Sequence, residues 1–189
     1  AMPTSKSSLA ETLVIRPENA ADPAECAAIA DLVERAFRAV PESDGTEAAL
    51  VAALRASGDV VADLTLVALE SERIVGHVLF SRMHIGDTPA LALAPLAVTP
   101  EKQRMGIGSA LVRRALERAR QADKAPGAPR FVIVLGHPDY YPRFGFTRAA
   151  NFGIAVPEGF PPECFLALEL VPGPALANAR VRYAAPFGL

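Results

Sequence analysis

The residues whose types and spacing could do chemistry are gathered at Gln103-Arg104-Met105-Gly106-Ile107-Gly108, followed by Ser109. This glycine-bearing loop opens an amphipathic segment, in which Leu111, Val112, Ala115, Leu116 and Ala119 recur at helical spacing and Arg113, Arg114, Glu117, Arg118 and Arg120 take the other face. The loop therefore sits at a helix N-terminus, where the first four N–H groups lack intrahelical acceptors and the peptide dipoles leave partial positive charge. Such an end suits a phosphate, and glycines without Cβ let an anion's oxygens approach the backbone. Two common phosphate-binding patterns do not fit. A dinucleotide fingerprint places its first glycine at the strand end and a third in the helix; here Thr99 to Met105 intervenes and no third glycine follows. A P-loop needs Gly-Lys-Ser/Thr, whereas Gly108 precedes Ser109-Ala110. His77, His84 and His137 form no metal-binding spacing, so no catalytic metal is expected.

The elements that must position this loop can be read on either side of it. Before it, Leu91 to Val98 is almost wholly apolar, as in a strand covered on both faces, and Pro95 within it favours a bulge over an uninterrupted ladder. From the start of the chain, Met2 to Ala10 reads as a mobile tail and Thr12 to Arg16 as a short strand. Asp22-Pro23-Ala24-Glu25 then gives an N-cap, a proline at the first helical position and a glutamate at the third, opening a helix with an apolar face of Ile29, Leu32, Val33, Ala36 and Phe37, closed by Pro41. A second helix is expected over Glu47 to Ala56, stopped at Gly58. Leu64 to Leu69 and Ile74 to Phe80 flank a Glu70-Ser71-Glu72-Arg73 turn as a hairpin, whose second strand can run on to Ile85 before the Gly86-Asp87 turn. Three consecutive strands thus form a meander, and the central helix crosses over to a parallel strand at Phe131 to Leu135. A short helical segment around Tyr141 to Phe144 ends at Gly145, and Glu163 to Val171 and Arg180 to Tyr183 read as closing strands. The expected fold is α/β (α+β), a mixed, mostly antiparallel sheet of about 6–7 strands flanked by helices.

The 189 residues suit one domain, residues 11–189 after a tail over 1–10, with 151–189 as closing strands and substrate-side loops. A formal net charge of −2 argues against a surface built to coat nucleic acid, and the arginines of the central helix read as a solvated face. No apolar run approaches the ~20 residues that span a bilayer, and no charged-then-apolar leader begins the sequence. Cys26 and Cys164 match no redox or ligand spacing. A cytoplasmic protein with reduced thiols is expected.

The order of elements and two motifs resemble the GNAT family, the GCN5-related N-acetyltransferases. Gln103-x-x-Gly106-x-Gly108 resembles that family's coenzyme A loop between its fourth strand and third helix, and Tyr141-Pro142-Arg143-Phe144-Gly145-Phe146 its tyrosine and terminal Gly-Phe. The match covers about Thr12 to Ala150, and the wording around Ala94 to Val98 and Tyr140 to Phe146 looks like the YhbS-like branch. The resemblance implies a sheet splayed between its fourth and fifth strands. It also implies acetyl-CoA as acetyl donor, with the pyrophosphate on the amides of Arg104, Met105, Gly106, Ile107, Gly108 and Ser109 beside Gln103, and the pantetheine along Leu96, Ala97 and Val98.

Direct acetyl transfer to a primary amine needs an uncharged nitrogen, and for a lysine-like amine of pKa about 10.4 the protonation cost at pH 7 is roughly 4.6 kcal/mol. A backbone N–H near Val98 is implied as the stabiliser of the developing oxyanion. Tyr141 is the residue the resemblance assigns to protonating the departing thiolate, with Tyr140 as the alternative; Pro142 restricts the backbone of Tyr141. Leu91 to Val98 contains no acidic residue to serve as base; His84 and His137 are candidates, and His77, amid a strand, reads as a satisfied structural residue. A small-molecule amine is the expected acceptor, with a protein or RNA target as the alternative, and the late strands could pair in a homodimer. The competing readings are a non-catalytic acyl-CoA-binding or regulatory module and a protein-interaction domain that uses no coenzyme.

Overall fold

A computed structural model describes residues 13–189, so the tail over 1–10 and the first residue of the Thr12 to Arg16 strand lie outside the described residues. The first strand, β1 (Leu13–Pro17), leads into α1 (Pro23–Phe37). Asp22 caps α1 by accepting from the Ala24 N–H at 3.0 Å, with Pro23 at the first position where its missing N–H costs nothing. Glu25 does not close a capping box on Asp22. Its carboxylate accepts from the Asn19 N–H at 3.0 Å and pairs with Arg16 at 2.9 Å, because the chain before the cap folds back within reach. After α1, α2 (Glu47–Ser57) stops where Gly58 takes φ 79, a left-handed conformation a side chain would strain.

The meander follows as β2 (Leu66–Glu70), β3 (Arg73–Ile85) and β4 (Thr88–Val98). Ser71 and Glu72 make the first turn with φ 49 and 66, the positive pair whose twist matches the flanking strands. Next come α3 (Ile107–Gln121), β5 (Phe131–Leu135), β6 (Thr147–Arg148), β7 (Phe165–Glu169) and β8 (Val181–Arg182). Among the described residues, eight strands form one sheet in the order β1-β2-β3-β4-β5-β7-β6, with β8 beside β3. Every pairing is antiparallel except β4 with β5. The closing strands are shorter than their apolar runs, and two-residue β6 carries no pattern of its own; its pairing with Ala167 and Leu166 creates it.

One layer covers each face of the sheet. On one, α3 buries Leu111, Val112, Ala115, Leu116 and Ala119 against Val78, Phe80, Leu93, Val132 and Val134. Gly76 allows this close approach, since a Cβ there would stand 2.9 Å from Leu111 Cδ1 and 3.0 Å from Ile107 Cγ2. On the other face, α1 packs Ile29, Leu32, Val33 and Ala36 over Val67 and Ala97, while Phe152, Phe160, Val181 and Tyr183 of the last segment cover Ala92, Phe131 and Phe165.

One strand pair does not stay closed. The β4 to β5 pairing runs only from Ala90 opposite Phe131 to Ala92 opposite Ile133, so from Leu93 onward β4 has no neighbouring strand on that side among the described residues. On its other side Val78 faces Leu96 and Phe80 faces Leu93, which leaves Ala94 and Pro95 opposite Leu79 alone. This is the bulge expected at Pro95, and it bends β4 where the two strands part.

Candidate functional site

At the end of β4, Pro100–Lys102 forms a single 3-10 turn, and the Gln103 side chain donates from Nε2 to the Val98 carbonyl at 3.1 Å. The loop is tied to α1 as well: Arg35 donates to Thr99 Oγ1 at 3.4 Å, and Thr99 donates to Glu101 at 2.7 Å, with Arg35 paired to Glu101. Arg104 at φ 63 and Gly106 at φ 87 then reverse the chain into α3. The first α-helical bond runs from Ala110 N–H to the Gly106 carbonyl at 3.0 Å. Among the described residues, the N–H groups from Arg104 to Ser109 find no protein acceptor, and no side chain caps the helix. Amides left open on one curve at a positive helix end are an anion cradle.

The cradle faces the parted strands. A Cβ on Gly108 would stand 3.5 Å from Val98 Cγ2, 3.7 Å from Leu96 Cδ2 and 3.4 Å from the Tyr140 hydroxyl. Leu96 and Val98 are half-buried there, whereas Ala97 points to the opposite face beneath α1 and is 2% exposed. Tyr140 shares a hydrogen bond with Ser109 Oγ at 3.0 Å, and the Arg143 guanidinium lies 4.5 Å over its ring. Tyr141 packs edge-on against Tyr140 and Phe146, with centroids 5.0 and 5.6 Å away. Its ring covers Gly136 so closely that a Cβ there would stand 2.3 Å from Tyr141 Cε2. Burial, with Tyr140 beside it, pushes the Tyr141 phenol well above its ordinary pKa, so the hydroxyl keeps its proton.

His84 and His137 are both exposed, His84 on β3 and His137 just beyond β5. His77 is fully buried and shares a 2.7 Å hydrogen bond between Nε2 and Glu18, which Arg55 also grips at 2.7 Å. The expectation of a satisfied histidine holds only on that side, because Nδ1 is buried without a partner among the described residues. The Glu18, Arg55 and His77 cluster was not legible in the sequence, since its members are brought together from three distant elements. No His, Cys, Asp and Glu grouping that could hold a metal occurs among the described residues.

Residues 27–146 match the family described as the Acetyltransferase (GNAT) family. The chain belongs to it. The GNAT chain is 35% identical over 173 residues to the uncharacterized N-acetyltransferase YjhQ of Escherichia coli K12, covering 87% of this chain and 90% of that one. Among solved structures it resembles a GNAT family acetyltransferase from Brucella melitensis in complex with acetyl-CoA, at 33% identity and a TM-score of 0.74 over 93% of this chain and 97% of that one. It also resembles YhbS from Escherichia coli in complex with CoA, at 28% identity and a TM-score of 0.76 over 94% of this chain and 93% of that one. The sheet parted between β4 and β5 is therefore the GNAT sheet. Among the described residues, no helix of this family member is long and apolar enough to cross a membrane.

Proposed function

We propose that this GNAT protein is an acetyl-CoA-dependent N-acetyltransferase that moves acetyl directly to a primary amine. The observation that carries the reading is the run of open amides from Arg104 to Ser109 directly beside the parted end of β4. Acetyl-CoA supplies a thioester; Arg104, Met105, Gly106, Ile107, Gly108 and Ser109 would hold its pyrophosphate, with Gln103 fixing the loop to Val98. Leu96 and Val98 would border its pantetheine with side chains, and Ala97 with backbone alone, since that methyl is under α1.

Transfer forms a C–N bond and breaks a C–S bond, so one proton must leave the amine and one must reach the thiolate. Tyr141 is the proton donor in this reading, because its buried phenol is held protonated and its ring is locked by Gly136 and Phe146. Tyr140, with its hydroxyl on Ser109, would border the coenzyme instead. A small amine is the expected acceptor, reached from the face between α1 and the segment over 151–189.

Calorimetric titration with acetyl-CoA, followed by thiol release across a panel of amines, tests the proposal. Saturable binding and amine-dependent release of CoA are expected. Absence of binding would remove the coenzyme reading. Binding with no release for any amine would favour a non-catalytic acyl-CoA-binding module, which the alanines on the acceptor face of β4 (Ala90, Ala92 and Ala97) also suit because they offer no base.

A further inference from the structure

We infer that the C-terminal end of α3 forms a second ligand site, which takes a small amphipathic carboxylate. A cavity of about 830 Å³ opens there, between the last turn of α3, the first residues of β4, the end of β3 and the loop before β5. That volume suits a small organic ligand. The cavity is separate from the coenzyme loop: 15 residues of α3 place its ends about 22 Å apart.

The walls are built rather than incidental. Lys124 Nζ donates to the Ala119 carbonyl at 2.8 Å, Ala128 N–H closes a turn on Ala125 at 2.9 Å, and Arg130 N–H holds the loop's end to Pro89 at 2.8 Å. On the opposite side Arg82 donates to the Gly58 and Val60 carbonyls at 3.0 and 3.3 Å. Apolar surface remains open between these supports, because Val61, Pro89, Ala128, Pro129 and Leu170 are only half-buried.

Charge selects the ligand. Arg82, Arg118 and Lys124 face the cavity with His84, against the carboxylates of Asp63 and Asp123, so the site is locally positive on a chain of formal net charge −2. Arg118 decides the orientation: it is half-buried, while Arg113, Arg114 and Arg120 of the same helix are exposed, and among the described residues its guanidinium meets no acceptor. A half-buried arginine beside open apolar surface matches a carboxylate with an apolar body, which forms charge-assisted hydrogen bonds at one end and buries its chain at the other.

Titration calorimetry of the full chain with sodium decanoate is expected to give one-site binding, and decyltrimethylammonium, with the same chain and the opposite charge, is expected to bind at least about tenfold more weakly. Arg118→Gln and, independently, Ala128→Glu should each weaken decanoate about tenfold or more while leaving the melting temperature and the acetyl-CoA titration unchanged. The inference is overturned if decanoate does not bind at millimolar concentration, if the cationic probe binds equally, if both variants bind decanoate normally, or if acetyl-CoA displaces it. Normal decanoate behaviour in a protein that fails to bind acetyl-CoA would remove the coenzyme reading and leave this site standing.

Discussion

Tyr140 and Tyr141 are neighbours in sequence, yet one 3-10 turn gives them different surroundings: the first reaches Ser109 at the coenzyme loop, the second sinks between Gly136 and Phe146. Under the proposed mechanism, Tyr141→Phe lowers turnover by about 10² to 10⁴ while acetyl-CoA affinity stays near normal, as steady-state kinetics and calorimetry would measure. Near-normal turnover would exclude the acid role. Glu18 presents a different balance. Burial pushes its carboxyl up, but hydrogen bonds from His77 and Arg55 outweigh burial and bring it down to about 2 from the usual 4.5. A folded-state value below the unfolded one means that the carboxylate stabilises the protein above pH 4.5, and that this contribution is lost as pH falls toward 2. Acid titration followed by circular dichroism should therefore show a shallower loss of stability below pH 4.5 in Glu18→Gln than in the parent chain. An identical slope would mean that Glu18 is not held low.

The elements do their work where their regularity fails. β4 is bulged at Ala94 and Pro95 and parted from β5 after Ala92, and the loop that follows carries two consecutive reversals at Arg104 and Gly106. Gly106 at φ 87 has no described residue within 4 Å of its Cβ position, so a substitution there acts through the backbone rather than through a clash with them. A side chain at such a φ costs roughly 1–2 kcal/mol. Gly106→Val is expected to weaken acetyl-CoA about tenfold by pulling amides off the cradle, with only a small change in melting temperature. Unchanged affinity would show that the cradle tolerates a different loop path. The apolar run of β4 and the glycines were readable from composition and spacing. The side-chain bond from Gln103 to the Val98 carbonyl was not, because it depends on the turn at Pro100–Lys102.

For the whole molecule, the short β4–β5 pairing over Ala90 to Ala92 joins the two halves of the sheet, and the segment over 151–189 lays Phe152 and Phe160 against Phe131 and Phe165, at 5.2 and 5.7 Å between centroids. We propose that the described chain unfolds as one cooperative unit, so far-ultraviolet and near-ultraviolet signals should share one denaturant midpoint. Separate midpoints would divide the closing segment from the rest. Phe165, fully buried in that junction, should lose about 3–5 kcal/mol on substitution by alanine.

Local patterns determined the order of strands and helices, the meander, the apolar face of α3 and the glycine loop at its N-terminus, because each depends on the periodicity of neighbours in the chain. Tertiary structure decided what no local pattern contains. Glu18, Arg55 and His77 meet from β1's exit, α2 and β3, where a buried charge must find partners. Thr147 and Arg148 become a strand only because β7 offers a free edge. Arg118, one of several arginines on a helix that reads as solvated, is set apart only by the loop and strands that close a cavity around it. The reason is the same in each case: hydrophobic period acts over a few residues, whereas pairing of polar groups and the shape of a cavity depend on which distant segments the packed sheet brings together.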